Sequence, residues 1–170
     1  MARIPYANQD DPEVAPLVQR IKAERGKVLK LYGMLLNSPP VAEGWLAFLT
    51  AIRQKCKLSG RIRELAIMRV AVLNDAPYEF RAHTPFALAE GFTAQQIEAL
   101  RADTPQGFSD AEQAVLAYAD SMTREIHVPD AVFDAIRPHF DERGIVELTA
   151  TIAAYNLVSR FLEAMQIDHE

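Results

Sequence analysis

The sequence predicts an all-α fold. Three observations carry that expectation. Apolar residues recur at helical spacing through most of the chain, helix-opening and helix-closing residues punctuate those stretches, and no useful length alternates with the period of two that a half-buried strand requires. No Asn-Gly or Asp-Gly pair is present, so hairpins would lack their commonest turn.

The elements follow in order. Asp11 and Pro12 open a first segment with Val14, Leu17, Val18 and Ile21 on one stripe, continued by Val28, Leu31 and Leu35 beyond Gly26. Gly26 is the point at which that segment can divide into two helices. Ser38, Pro39 and Pro40 start the next helix, whose Val41, Trp45, Phe48, Leu49 and Ile52 form one apolar face. Ser59 caps a third segment, Ile62 to Leu73, in which apolar residues surround nearly the whole circumference; such a helix belongs at the centre of a bundle. Pro77 begins a fourth, closed by Gly91. Thr93 with Gln96, and Ser109 with Glu112, form capping boxes for a short fifth helix and for a sixth that runs to about Arg124. Pro129 starts the seventh. The last begins near Ile145, after Gly144, and carries Leu148, Ile152, Tyr155, Leu157 and Phe161.

With 170 residues and no Pro/Gly/Ser-rich linker, residues 1–170 are expected to form a single domain. A net charge of -5 argues against a surface built to neutralise phosphates, so no nucleic acid is expected. The start lacks an apolar leader and no run approaches about 18 consecutive apolar residues, so no membrane is expected and the protein is placed in the cytoplasm. The single cysteine, Cys56, cannot close an internal disulfide or a dithiol cycle.

Several residues could carry chemistry. Glu64 sits at the start of an otherwise apolar helix, either as a first-turn carboxylate interacting with the helix dipole or as a buried acid/base group. Glu79 and His83 are four apart and share a helix face, where the carboxylate can orient one ring nitrogen and leave the other for substrate; the same spacing is also a common surface decoration. Those two with Glu64 could also hold a metal, but the chain has no HExxH and no second histidine nearby, so no metal is expected.

Tyr78, Arg69, Arg160, Tyr155 and Asn156 are candidates for substrate binding, with Arg81 a further polar candidate. Tyr155 and Asn156 interrupt an apolar helix, which suggests a polar pocket or a hydroxyl satisfied at the core's edge. Arg160 could grip a substrate carboxylate or pair with Glu163 or Glu147. His127, His139 and His169 lie by prolines or at the terminus, where solvent exposure is expected. Cys56 stands between Lys55 and Lys57, which would favour a thiolate if exposed; an inert thiol is the alternative.

These residues together support a recognition. Arg63-Glu64-Leu65-Ala66-Ile67-Met68-Arg69-Val70-Ala71, then Tyr78-Glu79-Phe80 with His83, then Ala89-Glu90-Gly91-Phe92-Thr93 with Gln96-Ile97, and finally Ile152-Ala153-Ala154-Tyr155-Asn156 with Arg160-Phe161, resemble the carboxymuconolactone decarboxylase/AhpD-like superfamily from about residue 40 onward. The resemblance implies an all-helical AhpD-like bundle of about seven to eight helices that assembles as a homotrimer or homohexamer. The alkylhydroperoxidase branch has a glutamate, a Cys-x-x-Cys pair and a histidine; Glu64 and His83 match, whereas Ala76 and Glu79 stand at the two cysteine positions. A dithiol peroxidase cycle therefore lacks both its thiols.

The decarboxylase branch is similar in lacking the redox pair, with Phe80 where that branch has tryptophan. It implies a cofactor-independent lyase or isomerase acting on a small lactone or carbonyl acid. In that reading His83 is the proton donor or base, Glu79 orients it, Glu64 is a second acid/base group, and Arg69 or Arg160 holds a carboxylate. The alternatives are a peroxidase-related protein whose redox pair is lost or replaced by Cys56 and an external thiol, and a non-catalytic oligomeric binder of small molecules.

Overall fold

The computed structural model describes residues 1–168. Its described residues contain nine α-helices and no strand. They are α1 (Ala15–Arg25), α2 (Lys30–Leu35), α3 (Pro39–Thr50), α4 (Gly60–Leu73), α5 (Pro77–Ala89), α6 (Ala94–Ala99), α7 (Asp110–Arg124), α8 (Asp130–Ile136) and α9 (Glu142–Met165). The fold class is the expected one, and the helix number slightly exceeds the expected seven to eight.

The chain forms two compact units, one of Met1–Lys55 with Phe161–Glu170 and one of Cys56–Arg160. In the first, Gly26 at φ +80° ends α1 and separates it from α2, so the dividing reading of that segment holds. The turn opened by Asp11 precedes the helix: the backbone N–H of Glu13 donates to Asp11 Oδ1 at 2.9 Å, and α1 starts at Ala15. Pro39 and Pro40 form the first turn of α3, where a missing N–H costs nothing. A π-helical turn, Ala51–Lys55, extends α3. Val18, Ile21, Leu46 and Ile52 are buried in this unit, and the rings of Trp45 and Phe161 lie 5.2 Å apart.

The second unit is built around α4, in which every residue from Glu64 to Ala71 is buried. The Ser59 hydroxyl accepts from the backbone N–H of Ile62 at its start. Helices α5 and α7 pack against it, α6 adjoins α5, and α8 adjoins α7. Both anticipated capping boxes are formed, by Thr93 with Gln96 and by Ser109 with Glu112. Asp75, at φ +49°, makes the tight reversal between α4 and α5.

Helix α9 begins earlier than expected. Asp141 Oδ1 accepts from the Gly144 N–H at 2.7 Å, so Gly144 lies in the first turn rather than before it. By length and composition alone this helix is apolar enough to cross a bilayer, yet 56% of the apolar window is buried inside the protein. That burial is what a core helix requires.

Candidate active site

Glu64 and His83 stand 19 positions apart, but the turn at Asn74–Ala76 folds α5 back along α4 and brings them together. His83 Nδ1 lies 2.6 Å from Glu64 Oε2, and both side chains are buried. A contact that short is a hydrogen bond, in which the ring N–H donates when Glu64 is a carboxylate. It orients the imidazole and directs Nε2 the other way. On that side Glu79 Oε2 lies 3.9 Å from Nε2, beyond hydrogen-bond reach, and Glu79 is also buried.

The expected division of labour is therefore exchanged. Sequence spacing assigns the orienting role to Glu79, one turn away on the same helix; the structure gives it to Glu64, across the helix pair. An i,i+4 carboxylate reaches only the edge of the ring here, whereas a facing helix approaches Nδ1 directly.

Aromatic rings wall the histidine. Tyr155 on α9 meets it edge-on at 5.1 Å, and Phe86, one turn further along α5, is tilted against it at 5.7 Å. Tyr78 is buried at the start of α5. Phe86 is a site neighbour that sequence reasoning missed; its i,i+3 spacing from His83 is the signal that pointed to it. Arg63 enters the sequence analysis only as the residue before Glu64 in the family-like pattern, yet its Nε lies 3.3 Å from Glu64 Oε1, the oxygen His83 does not use.

Three of the proposed substrate-binding residues are placed elsewhere. Arg69 is 1% exposed and all five of its N–H donors are engaged: Nε with Asp120 Oδ1 at 2.6 Å, one terminal nitrogen with the Leu100 and Ala102 carbonyls, the other with the Asp103 carbonyl and Asp120 Oδ2. No donor is left for a substrate carboxylate, so Arg69 is a structural tie between α4, α7 and the loop after α6. Asn156 is likewise consumed: its Nδ2 donates to Thr123 Oγ1 and the Ile152 carbonyl, and its Oδ1 accepts from Asn74. Arg160 is exposed, and five residues after Tyr155 it lies on a different side of α9. Arg81 is exposed and its Nε donates to the Pro77 carbonyl.

Cys56 is half-buried, and its thiol is pushed up by burial and by the neighbouring Glu147, against Arg143 and Arg63. The flanking lysines do not make it a thiolate. Glu147 itself is held below its ordinary value, although burial opposes this, because Arg143 and the Leu58 N–H bond its carboxylate. Its place in an apolar helix is thus structural. His127 and His139 are exposed, and His169 lies outside the described residues. Among the described residues no group of three or more His, Cys, Asp or Glu is arranged to hold a metal ion.

Comparison with known proteins bears on the family and the fold. The model of the carboxymuconolactone decarboxylase family matches residues 39–121, which includes Glu64, Glu79 and His83. The uncharacterized protein YdfG of Bacillus subtilis (strain 168) is 33% identical over 106 residues, covering 61% of this chain and 72% of that protein. Among solved structures, an uncharacterized peroxidase-related protein from Silicibacter sp. TM1040 superposes with a TM-score of 0.84 at 18% identity, covering 99% of this chain and 90% of that one. The debrominase Bmp8 in complex with 2,3,4-tribromopyrrole superposes with a TM-score of 0.81 at 18% identity, covering 100% and 94%. At such identities these likenesses describe the fold. The chain belongs to the carboxymuconolactone decarboxylase family.

Proposed function

We propose that this protein is a cofactor-independent lyase or isomerase that moves a proton on a small lactone or carbonyl acid. The observation that carries the reading is the buried Glu64–His83 pair at 2.6 Å, with the second ring nitrogen directed toward Glu79. A carboxylate on Nδ1 fixes the tautomer and stabilises the imidazolium, which are the two requirements of a histidine acid/base. In the lyase form, the carbon–carboxylate bond breaks, carbon dioxide leaves, and the electron pair enters the conjugated carbonyl as an enolate. Nε2–H of the imidazolium then delivers a proton to carbon, and Glu79 or solvent restores it. In the isomerase form, neutral Nε2 removes a proton at one carbon and returns it at another. Tyr155 and Tyr78 are the polar aromatic groups proposed to contact the substrate, and their burial favours such a dry reaction.

The reading includes a cytoplasmic protein that self-associates as a homotrimer or homohexamer. Exposed Phe86 and Leu88 on α5 and Leu157 on α9 support the second point, since apolar side chains of that size favour cover. A panel of lactones and keto acids, incubated in D2O and followed by proton NMR, tests the function. Deuterium incorporation by wild type that disappears in His83→Ala supports it. Saturable binding without incorporation marks a non-catalytic binder, and peroxide consumption lost in Cys56→Ser marks a peroxidase-related protein; either result replaces the proposal.

A further inference from the structure

The acid/base pair does not stand alone: its carboxylate belongs to an ionic chain that begins on α5 and ends at the residue after it. One oxygen of Glu64 binds His83 and the other lies 3.3 Å from Arg63 Nε. The Arg63 terminal nitrogen in turn lies 3.9 Å from Glu90 Oε1. Glu90 follows α5 directly and is seven residues from His83, so both project from one face of that helix toward α4.

Gly60 makes room for this arrangement. A Cβ built there would stand 2.0 Å from Glu90 Oε1, so the carboxylate occupies the space that any larger residue would fill. Arg61, the neighbouring cation, binds the Glu112 carboxylate at 2.6 Å, stacks 4.0 Å over the Phe92 ring and reaches the Glu90 backbone carbonyl at 3.5 Å.

We infer that Arg63 is a positioning residue for the site, with Glu90 the acidic group on its outer side. The inference rests on the acid/base reading of His83, and it adds how the proton affinity of that site is set. A guanidinium beside the outer oxygen offsets part of the carboxylate charge and weakens its pull on the imidazole proton. Without it the Glu64–His83 pair holds its proton more tightly. Glu79 on α5 and Tyr155 on α9 also face the ring.

Arg63→Gln removes a positive charge beside the pair, so the protonated form is favoured and the titration midpoint rises. Glu90→Gln removes a negative charge at the far end, so the midpoint falls, by less because Glu90 is more distant and partly exposed. Mere loosening of the site would move both variants in the same direction.

The test follows the His83 Cε1–H NMR signal, assigned by its loss in His83→Gln, from about pH 4 to about pH 10 in wild type, R63Q, R63K and E90Q. The expected result is a rise of about one pH unit in R63Q, a tenfold gain in proton affinity, with R63K close to wild type and E90Q lower. If R63Q fails to fold, E90Q still gives the sign, with R63K as the charge-conserving control. An unchanged midpoint, shifts of the same sign in R63Q and E90Q, or a signal that titrates in none of the proteins overturns the inference. The measurement uses no substrate, so its failure is separate from a failure to find turnover.

Discussion

Replacing Arg69 separates a structural arginine from a substrate-binding one. Arg69→Met keeps a long apolar stem but removes five N–H donors. It leaves the Asp120 carboxylate without its partner and strips hydrogen bonds from the carbonyls of Leu100, Ala102 and Asp103. Removing one partner of a buried ion pair costs about 3–5 kcal/mol, because the remaining charge stays uncompensated. Asp120 is 27% exposed and regains some water, which places the expected loss near the middle of that range, at about 4 kcal/mol. For a protein of this length each kcal/mol lowers Tm by about 2–4 °C, so Tm should fall by about 8–16 °C.

Guanidinium chloride unfolding followed by circular dichroism measures this directly, provided the slope is unchanged so that the midpoint reports stability. Arg69→Lys should recover only part of the loss, since an ammonium offers three donors from one point where the site needs five in a plane. A variant with wild-type unfolding and a selective loss of carboxylate binding would refute the assignment and return Arg69 to the substrate.

Three further outcomes follow from the same contacts. Glu64→Gln should lower kcat/KM by about 10²-fold or more while leaving the helical circular dichroism signal intact, because an amide can accept the Nδ1–H bond but cannot stabilise the imidazolium; an unchanged rate argues against Glu64 as the orienting group. Glu112 is held below its ordinary value despite burial, by the Ser109 N–H and hydroxyl and by Arg61. Its folded pKa is depressed, so its contribution is present above the unfolded carboxylate value and is lost as pH falls through the folded one; Glu112→Gln should cost about 1–2 kcal/mol at pH 7, and urea titrations should show that difference shrinking below about pH 4. Gly60→Ala should displace the Glu90 carboxylate and lower the His83 midpoint as Glu90→Gln does; a crystal structure with Glu90 unmoved would contradict the close approach.

The helices were readable because their ends carry local chemistry. Gly26, Pro39, Ser59, Thr93 and Ser109 act within one turn of themselves, so no knowledge of the partner helix is needed. The start of α9 was misread for a local reason too: Gly144 resembles a stop, and only the Asp141 bond to its N–H shows it to be inside the first turn. The π turn at Ala51–Lys55 has no sequence signature.

The site was legible only in part. Glu64, Glu79 and His83 were all identifiable, but which carboxylate touches the ring depends on the register of α5 against α4, and that is a long-range property. Arg69 and Asn156 stood out as polar groups in apolar helices. Whether their partners belong to the protein or to a ligand was hidden, because Asp120 lies 51 residues from Arg69 and Asn74 lies 82 from Asn156.

The most direct test of the central claim is the kcat/KM of His83→Ala against wild type, on whichever lactone or keto acid shows deuterium incorporation, with far-UV circular dichroism recorded on the same samples. A general acid/base contributes about 10²–10⁴-fold, so the variant should lose at least that much activity while keeping the helical signal. A rate within a few-fold of wild type in a folded His83→Ala protein would contradict the account.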